Sequence, residues 1–354
     1  MRTKVRVALV GLGRMGRIHA GNLAARCRSA ELAVVADADP RQAAAVGAEL
    51  EVPWTTDLDE VFGDDTVQAV AVATPTATHS DLVIGAARAG KHVFCEKPIA
   101  LDRPATVRTV ETVRTTGVKF QVGFHRRYDP DWVAATGRIH AGEMGEPYLF
   151  RTSLRDMKPP PVEFLAGSGG FFVDVTIHDL DTARWMVGEI VEVSSYGSAL
   201  ADPAIRAIGD IDTALVVLRF ESGALGVIDN SRAAGYGYEC STEVMGELAT
   251  TRIDRPQRRH YEWLTPGAST YGLNRDFEDR YPLAYAEEME AFARCVRDDT
   301  APAVTGLDAL AAFDLATAAD LSWRTGRAVP VVPERRDGGV VYTFEGQDTA
   351  GQGP

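Results

Sequence analysis

Residues 7–20, VALVGLGRMGRIHA, constrain the fold more than any other stretch of the chain. An apolar run ends in Gly11, Gly13 and Gly16, in G-x-G-x-x-G spacing, and an amphipathic segment starts within the same turn. The first glycine permits a tight turn, the second lets backbone approach a pyrophosphate, and the third lets the following helix pack closely on the sheet. Phosphates would lie at the positive end of that helix, where Arg14 and Met15 stand between the glycines. The pattern predicts a strand, a phosphate-binding turn and a helix, the first unit of a doubly wound parallel sheet.

The following hundred residues continue the alternation. Apolar runs at 5–10, 32–36, 68–73, 92–95 and 119–123 are separated by alanine-rich segments with helical spacing. Strands apolar at every position suit a parallel sheet buried on both faces. The second run ends in VVADADP and places Asp37 where an acid bonds the hydroxyls of an adenosine ribose. Asp37 and Asp39 are also what a turn ahead of Pro40 would require. An acid at 37 repels a 2′-phosphate and no arginine directly follows it, so NAD is expected rather than NADP.

At 354 residues the chain exceeds one ordinary domain. The expected division is a dinucleotide-binding domain over 1–125, an α+β substrate-binding and oligomerisation domain over 126–345, and a flexible tail over 346–354. The β-like runs at 191–200, 212–221, 224–233 and 238–246 are close enough in sequence for a large open, mainly antiparallel sheet. With 45% hydrophobic and 25% charged residues the composition is globular, and a net charge of -13 repels nucleic acid and anionic membranes. No run approaches the roughly 20 apolar residues of a membrane span. Cys27, Cys95, Cys240 and Cys295 show no metal-ligand spacing, so neither a metal nor a disulfide is expected. The N-terminal apolar run meets glycines rather than a cleavage site, which predicts a cytoplasmic protein.

Two features point to chemistry. Lys97, in HVFCEKP, follows a strand at the carboxyl edge of the sheet, where it could donate to a substrate oxygen; pairing with Glu96 or simple surface exposure remains open. In FVDVTIHDLD (172–181), Asp174 and His178 are four apart and share a face if the segment is helical. The acid could orient the imidazole for proton transfer, or could cap the helix over a core histidine. Asp181 reads as an outward-facing acid beside Arg184.

VGLGRMGRIHA, ATPTATH, FCEKP, VGFHRRYD and VDVTIHDLD, in that order, resemble the glucose–fructose oxidoreductase/inositol dehydrogenase (Gfo/Idh/MocA) family over nearly the whole chain. The resemblance implies Lys97, Asp174 and His178 as the catalytic set: His178 as general acid/base, Asp174 as its partner and a substrate ligand, Lys97 as the donor. It implies that Thr74, Pro75, His79, Glu96, Lys97 and Gln121 line the nicotinamide side of the cofactor site, and that Arg127 and Tyr236 lie near the polyol. On their own residues, Arg126 and Arg127 could pair with Asp129 and Glu143, and Tyr236 and Tyr238 could be plain strand aromatics. The loop RDMKPPPVEFLAGSGG departs from the inositol pattern and sets Arg155 at the substrate. The implied activity is reversible, NAD-dependent oxidation of a secondary ring hydroxyl of myo-inositol or a related cyclitol to the ketone, in a homodimer or homotetramer joined through the C-terminal sheet. A sugar or nucleotide-sugar dehydrogenase, or a non-catalytic NAD-binding sensor, is the alternative.

Overall fold

The computed structural model describes residues 4–254, 258 and 261–347. They form two compact units, one running up to Asp129 and including Leu283–Leu310, the other comprising Pro130–Pro282 and the described residues from Ala311 onward.

The first unit runs β1 (Val5–Val10), α1 (Arg14–Ala25), β2 (Ala30–Ala36), α2 (Pro40–Leu50), β3 (Trp54–Thr55), α3 (Leu58–Gly63), β4 (Ala69–Val72), α4 (His79–Arg88), β5 (His92–Glu96), α5 (Arg103–Thr116) and β6 (Phe120–Gly123). The strands pair in the order β3-β2-β1-β4-β5-β6, every pair parallel. Successive strands leave β1 in opposite directions, which opens a crevice at the carboxyl ends of β1 and β4. All five expected strands are present. β3 was not expected: two residues on the sheet edge carry no periodic signal. Asp39, Asp57 and Asp102 cap α2, α3 and α5 through their carboxylates.

The second unit contains α6 (Pro130–His140), β7 (Pro147–Arg155), α7 (Val162–Leu165), a π-helical turn at Phe172–Thr176 that leads into α8 (Ile177–Val187), then β8 (Ile190–Ser198), α9 (Pro203–Ala207), β9 (Thr213–Phe220), β10 (Leu225–Ser231), β11 (Glu239–Gly246) and β12 (Thr250–Ile253). A hairpin of β13 (Trp263–Thr265) and β14 (Ala268–Thr270) and the short α10 (Phe277–Arg280) follow. With β15 (Val329–Pro330) the main sheet has the order β12-β11-β7-β10-β9-β8-β15, antiparallel except where β10 runs parallel to β7. α7 lies within the stretch expected to be loop. One face of the sheet is covered by helix. The other leaves Leu215, Val217, Leu225 and Met245 about half exposed.

Two late helices divide between the units. α11 (Pro282–Arg297) sends Met289, Phe292 and Ala293 into the same core cluster as Val5, Val7, Leu9 and Phe94, and Glu290 accepts from the Arg28 and Ser29 amides. The segment 283–310 thus completes the first unit, whereas the sequence assigned it to a continuous domain at 126–345. α12 (Gly306–Thr325) covers β8, with Ser322 bonding the Ser195 amide and Trp323 the Gly197 carbonyl. A closing hairpin joins β16 (Val332–Arg336) to β17 (Gly339–Thr343). Gln347 donates to Asp314, so the chain is held that far; 348–354 of the expected tail lie outside the described residues. All four cysteines are buried and free of disulfides. Among the described residues no helix is long and apolar enough to cross a membrane.

Candidate active site

At the end of β1, Gly11 adopts φ +92° and donates its amide to Ala36 across 2.8 Å. A Cβ there would stand 2.6 Å from the Thr74 nitrogen, and one on Gly16 would stand 1.9 Å from the Gly11 carbonyl oxygen. Turn, helix and β4 therefore approach as closely as backbone permits. Gly13 differs, because a Cβ there would meet no atom within 4 Å. α1 begins on Gly13 with no side-chain cap and no acid in its first turn, and Arg14, its first residue, is exposed. Met15 packs against the core. Asp37 accepts from the Leu12 amide at 2.7 Å, from Gln42 at 2.9 Å and from the Asp39 amide at 2.9 Å. It thus does the turn's work and also anchors a carboxylate beside the glycines. Open backbone, an uncapped positive helix end and that carboxylate fit a pyrophosphate with an adjoining ribose.

Across the crevice, Thr74 shares a hydroxyl bond of 2.7 Å with Thr78, whose hydroxyl also donates to the Pro75 carbonyl. Lys97 leaves the end of β5 partly exposed between buried neighbours, and its peptide bond to Pro98 is cis. Its amide meets the Glu96 carboxylate at 3.3 Å. The other Glu96 oxygen lies 2.6 Å from the fully buried His19, and Glu288, equally buried, stands 3.9 Å from the same ring nitrogen. The 2.6 Å separation is that of a short hydrogen bond. Burial, and then the Glu96 charge, push the Glu288 carboxyl well above the usual range.

His79 and Gln121, expected on the nicotinamide side, are both held by hydrogen bonds within the first unit. The His79 ring is buried, with Nδ1 2.9 Å from the Pro98 carbonyl and Nε2 2.8 Å from that of Thr74. It ties together the loops carrying Thr74 and Lys97, and burial pulls its pKa below the ordinary value. Gln121, also buried, donates to the Glu288 carbonyl at 2.8 Å. Both side chains point into the unit and brace the crevice from behind.

In the second unit, Asp174 and His178 are the only partly exposed residues between Phe171 and Arg184. They share one edge although the helix does not begin as an α-helix: Asp174 lies in the π-turn and His178 in the first turn of α8. Such turns occur frequently at functional sites. The buried Asp179 pins this segment to the sheet, accepting from Thr152 at 3.1 Å and Asn230 at 2.8 Å, while Thr176 donates to Asn230 at 2.8 Å. Asp174 pairs with the fully buried Arg232 at 2.9 Å.

The other expected substrate ligands do not join this edge. Arg155 lies on the opposite face of the sheet, among Ser153 and Asp229, and its guanidinium is clamped by both Asp229 oxygens at 2.8 and 2.7 Å. Strand alternation requires this, since Thr152, the next-but-two residue, faces α8. Tyr236 is 44% exposed, accepts from Arg155 at 3.1 Å and donates to Glu239. Arg127, in the first unit, pairs with Asp308 at 3.2 Å. Arg126 is buried and Glu143 pairs with Arg138. Asp181 is buried rather than outward-facing, and Arg184 pairs with Glu189. Sequence reading missed Arg232, His19 and Glu288, because the partner of each stands tens to hundreds of residues away in the chain. Asp179 had a local signal, as an acid in the apolar run FVDVTIHDLD.

The comparisons with known proteins agree with this architecture. A family model described as an oxidoreductase family with an NAD-binding Rossmann fold matches residues 5–124, and the GFO/IDH/MocA C-terminal domain model matches 132–252. The chain is 40% identical over 337 residues to the scyllo-inositol 2-dehydrogenase (NAD(+)) of Bacillus subtilis (strain 168), covering 95% of this chain and 98% of that one. It is also 40% identical over 329 residues to the myo-inositol 2-dehydrogenase of Thermotoga maritima, covering 92% and 98%. A crystal structure of scyllo-inositol dehydrogenase from Lactobacillus casei with bound NAD(H) and scyllo-inositol aligns with a TM-score of 0.87 at 29% identity, over 93% of this chain and 99% of that one. Matches that span both units and nearly the full length of each relative place the chain in the Gfo/Idh/MocA family of oxidoreductases, with an NAD-binding Rossmann domain as its first unit.

Proposed function

We propose that this protein is an NAD-dependent dehydrogenase that oxidises a secondary ring hydroxyl of an inositol to the ketone, reversibly. The observation that carries the reading is the single edge of the second unit on which Asp174 and His178 emerge from an otherwise buried segment. Similarity to NAD-dependent scyllo-inositol and myo-inositol dehydrogenases supports the substrate class. Gly11, Gly13, Arg14, Gly16 and Asp37 would hold the dinucleotide, with Thr74, Pro75 and Lys97 on its nicotinamide side. When bound, NAD supplies the hydride acceptor.

His178 takes the hydroxyl proton, a task imidazoles commonly perform as general acid/base. Asp174 orients the imidazole and bonds the polyol. The Lys97 ammonium donates to the reacting oxygen and favours its alkoxide character as the proton leaves. The half-exposed apolar face of the second sheet, where Tyr196 stands opposite Leu215, supports a homodimer or homotetramer built through it.

The test is incubation with NAD and a panel of inositol isomers and aldoses, read by NADH absorbance. Turnover with myo- or scyllo-inositol well above that with aldoses is expected; turnover confined to aldoses would move the protein to a sugar dehydrogenase. Lys97→Ala and His178→Ala should each keep NAD affinity within a few-fold and lose about 10²-fold or more in kcat. Undiminished kcat in both variants would refute the assignment of roles.

A further inference from the structure

We propose that Arg232 is a positioning residue for this reaction, acting through Asp174. Arg232 follows the last residue of β10 and is completely buried, an uncommon place for a guanidinium. Its Nη2 lies 2.9 Å from Asp174 Oδ2 and its Nη1 3.4 Å from Asp210 Oδ2. The guanidinium carbon stands 5.1 Å from the centre of the Phe171 ring. Asp210 in turn accepts the Phe171 amide at 3.0 Å. The entry to the π-turn is therefore gripped twice, at the Phe171 backbone by Asp210 and at its ring by Arg232, while the same guanidinium holds Asp174 within the turn.

The Arg232 backbone is fixed as well, its amide donating to the Asp212 carbonyl at 2.8 Å. A planar donor anchored at both ends stops rotation of the Asp174 carboxylate about its Cβ–Cγ bond. Without it, the carboxylate would swing on an edge where His178 and a ring hydroxyl must be met at hydrogen-bond distance. Misplacement of a reacting group by about 1 Å can cost 10²-fold in rate. A lysine is too short and has no planar fork, so charge alone does not replace the guanidinium.

The inference rests on the assignment of Asp174 to the substrate, and the variants are chosen to separate the two. Arg232→Lys keeps the buried charge and Asp210→Asn removes the second anchor; both are accepted for kinetics once they show one cooperative melting transition. In Arg232→Lys, kcat with the inositol substrate is expected to fall at least 10-fold with the KM for NAD within two-fold of wild type. Asp210→Asn should fall less, and Arg232→Met should fall further than Arg232→Lys, so that the conservative variant is a partial rescue. In the Asp174→Asn background, Arg232→Lys should cost little more, because a residue that acts through Asp174 has nothing left to position. Equal losses in the presence and absence of Asp174 would mark a merely structural role and overturn the proposal, as would wild-type kcat in folded Arg232→Lys. Wild-type turnover in Asp174→Asn would instead overturn the reading of Asp174, and this inference with it.

Discussion

Buried ionisable residues set the behaviour of individual positions in this protein. Glu288 is the clearest case, with both carboxylate oxygens buried among groups that include the His19–Glu96 pair. Its folded pKa is raised, first by burial and then by Glu96, so the folded state keeps a proton that the unfolded chain has lost. A group of this sign costs stability progressively as pH rises above its unfolded pKa of about 4.5. Glu288→Gln, which mimics the protonated acid, should leave stability almost unchanged near pH 4.5 and raise it above wild type at pH 7 to 8. Thermal melts of both proteins across pH 4.5 to 8 test this; a constant difference across the range would contradict it. None of it is visible in AYAEEMEAF, where Glu288 reads like any acid of an amphipathic helix.

At the scale of elements, the glycine turn separates folding from binding. Gly16 and Gly11 face backbone at 1.9 and 2.6 Å, whereas Gly13 faces open space. Gly16→Ala is expected to destabilise the protein by about 3 kcal/mol or more, since backbone must move to admit the methyl group. Gly13→Ala should change the melting temperature by no more than a few degrees and weaken NAD binding about 10-fold, because its methyl group occupies the space a pyrophosphate would approach. Melting curves and NAD titration distinguish the two; similar losses of stability would contradict the geometry. The turn was legible because its signal lies within six residues and its neighbours are a strand and a helix. The Asp174–His178 pair was legible as a spacing, while the π-turn that carries Asp174 was not, and the side chains that contact it, Arg232 and Asp210, come from distant parts of the chain.

For the whole molecule, the return of α11 to the first sheet has a measurable consequence. Phe292 is fully buried in the core that begins with Val5. Phe292→Ala should cost about 3–5 kcal/mol, and a fragment ending at residue 129, which lacks α11, should fail to melt cooperatively. Calorimetry on both checks this; a stable fragment would show that Leu283–Leu310 is dispensable. On the second sheet, Leu215→Asp should shift the protein toward monomer in light scattering if that face joins copies of the chain. An unchanged mass would remove the proposal for this face.

The sequence by itself determined the parallel sheet, its glycine turn, the acid after β2, the lysine after β5 and the histidine edge of the second unit, since each is written in periodicity or spacing over a few residues. Only the tertiary structure decided that 283–310 belongs with the first unit, that Arg155 and Tyr236 lie on the sheet face away from Asp174, and that His79 and Gln121 bond backbone carbonyls of Thr74, Pro98 and Glu288. Those outcomes depend on strand register and on buried charges finding partners tens to hundreds of residues away, and no local window contains both members of such a pair.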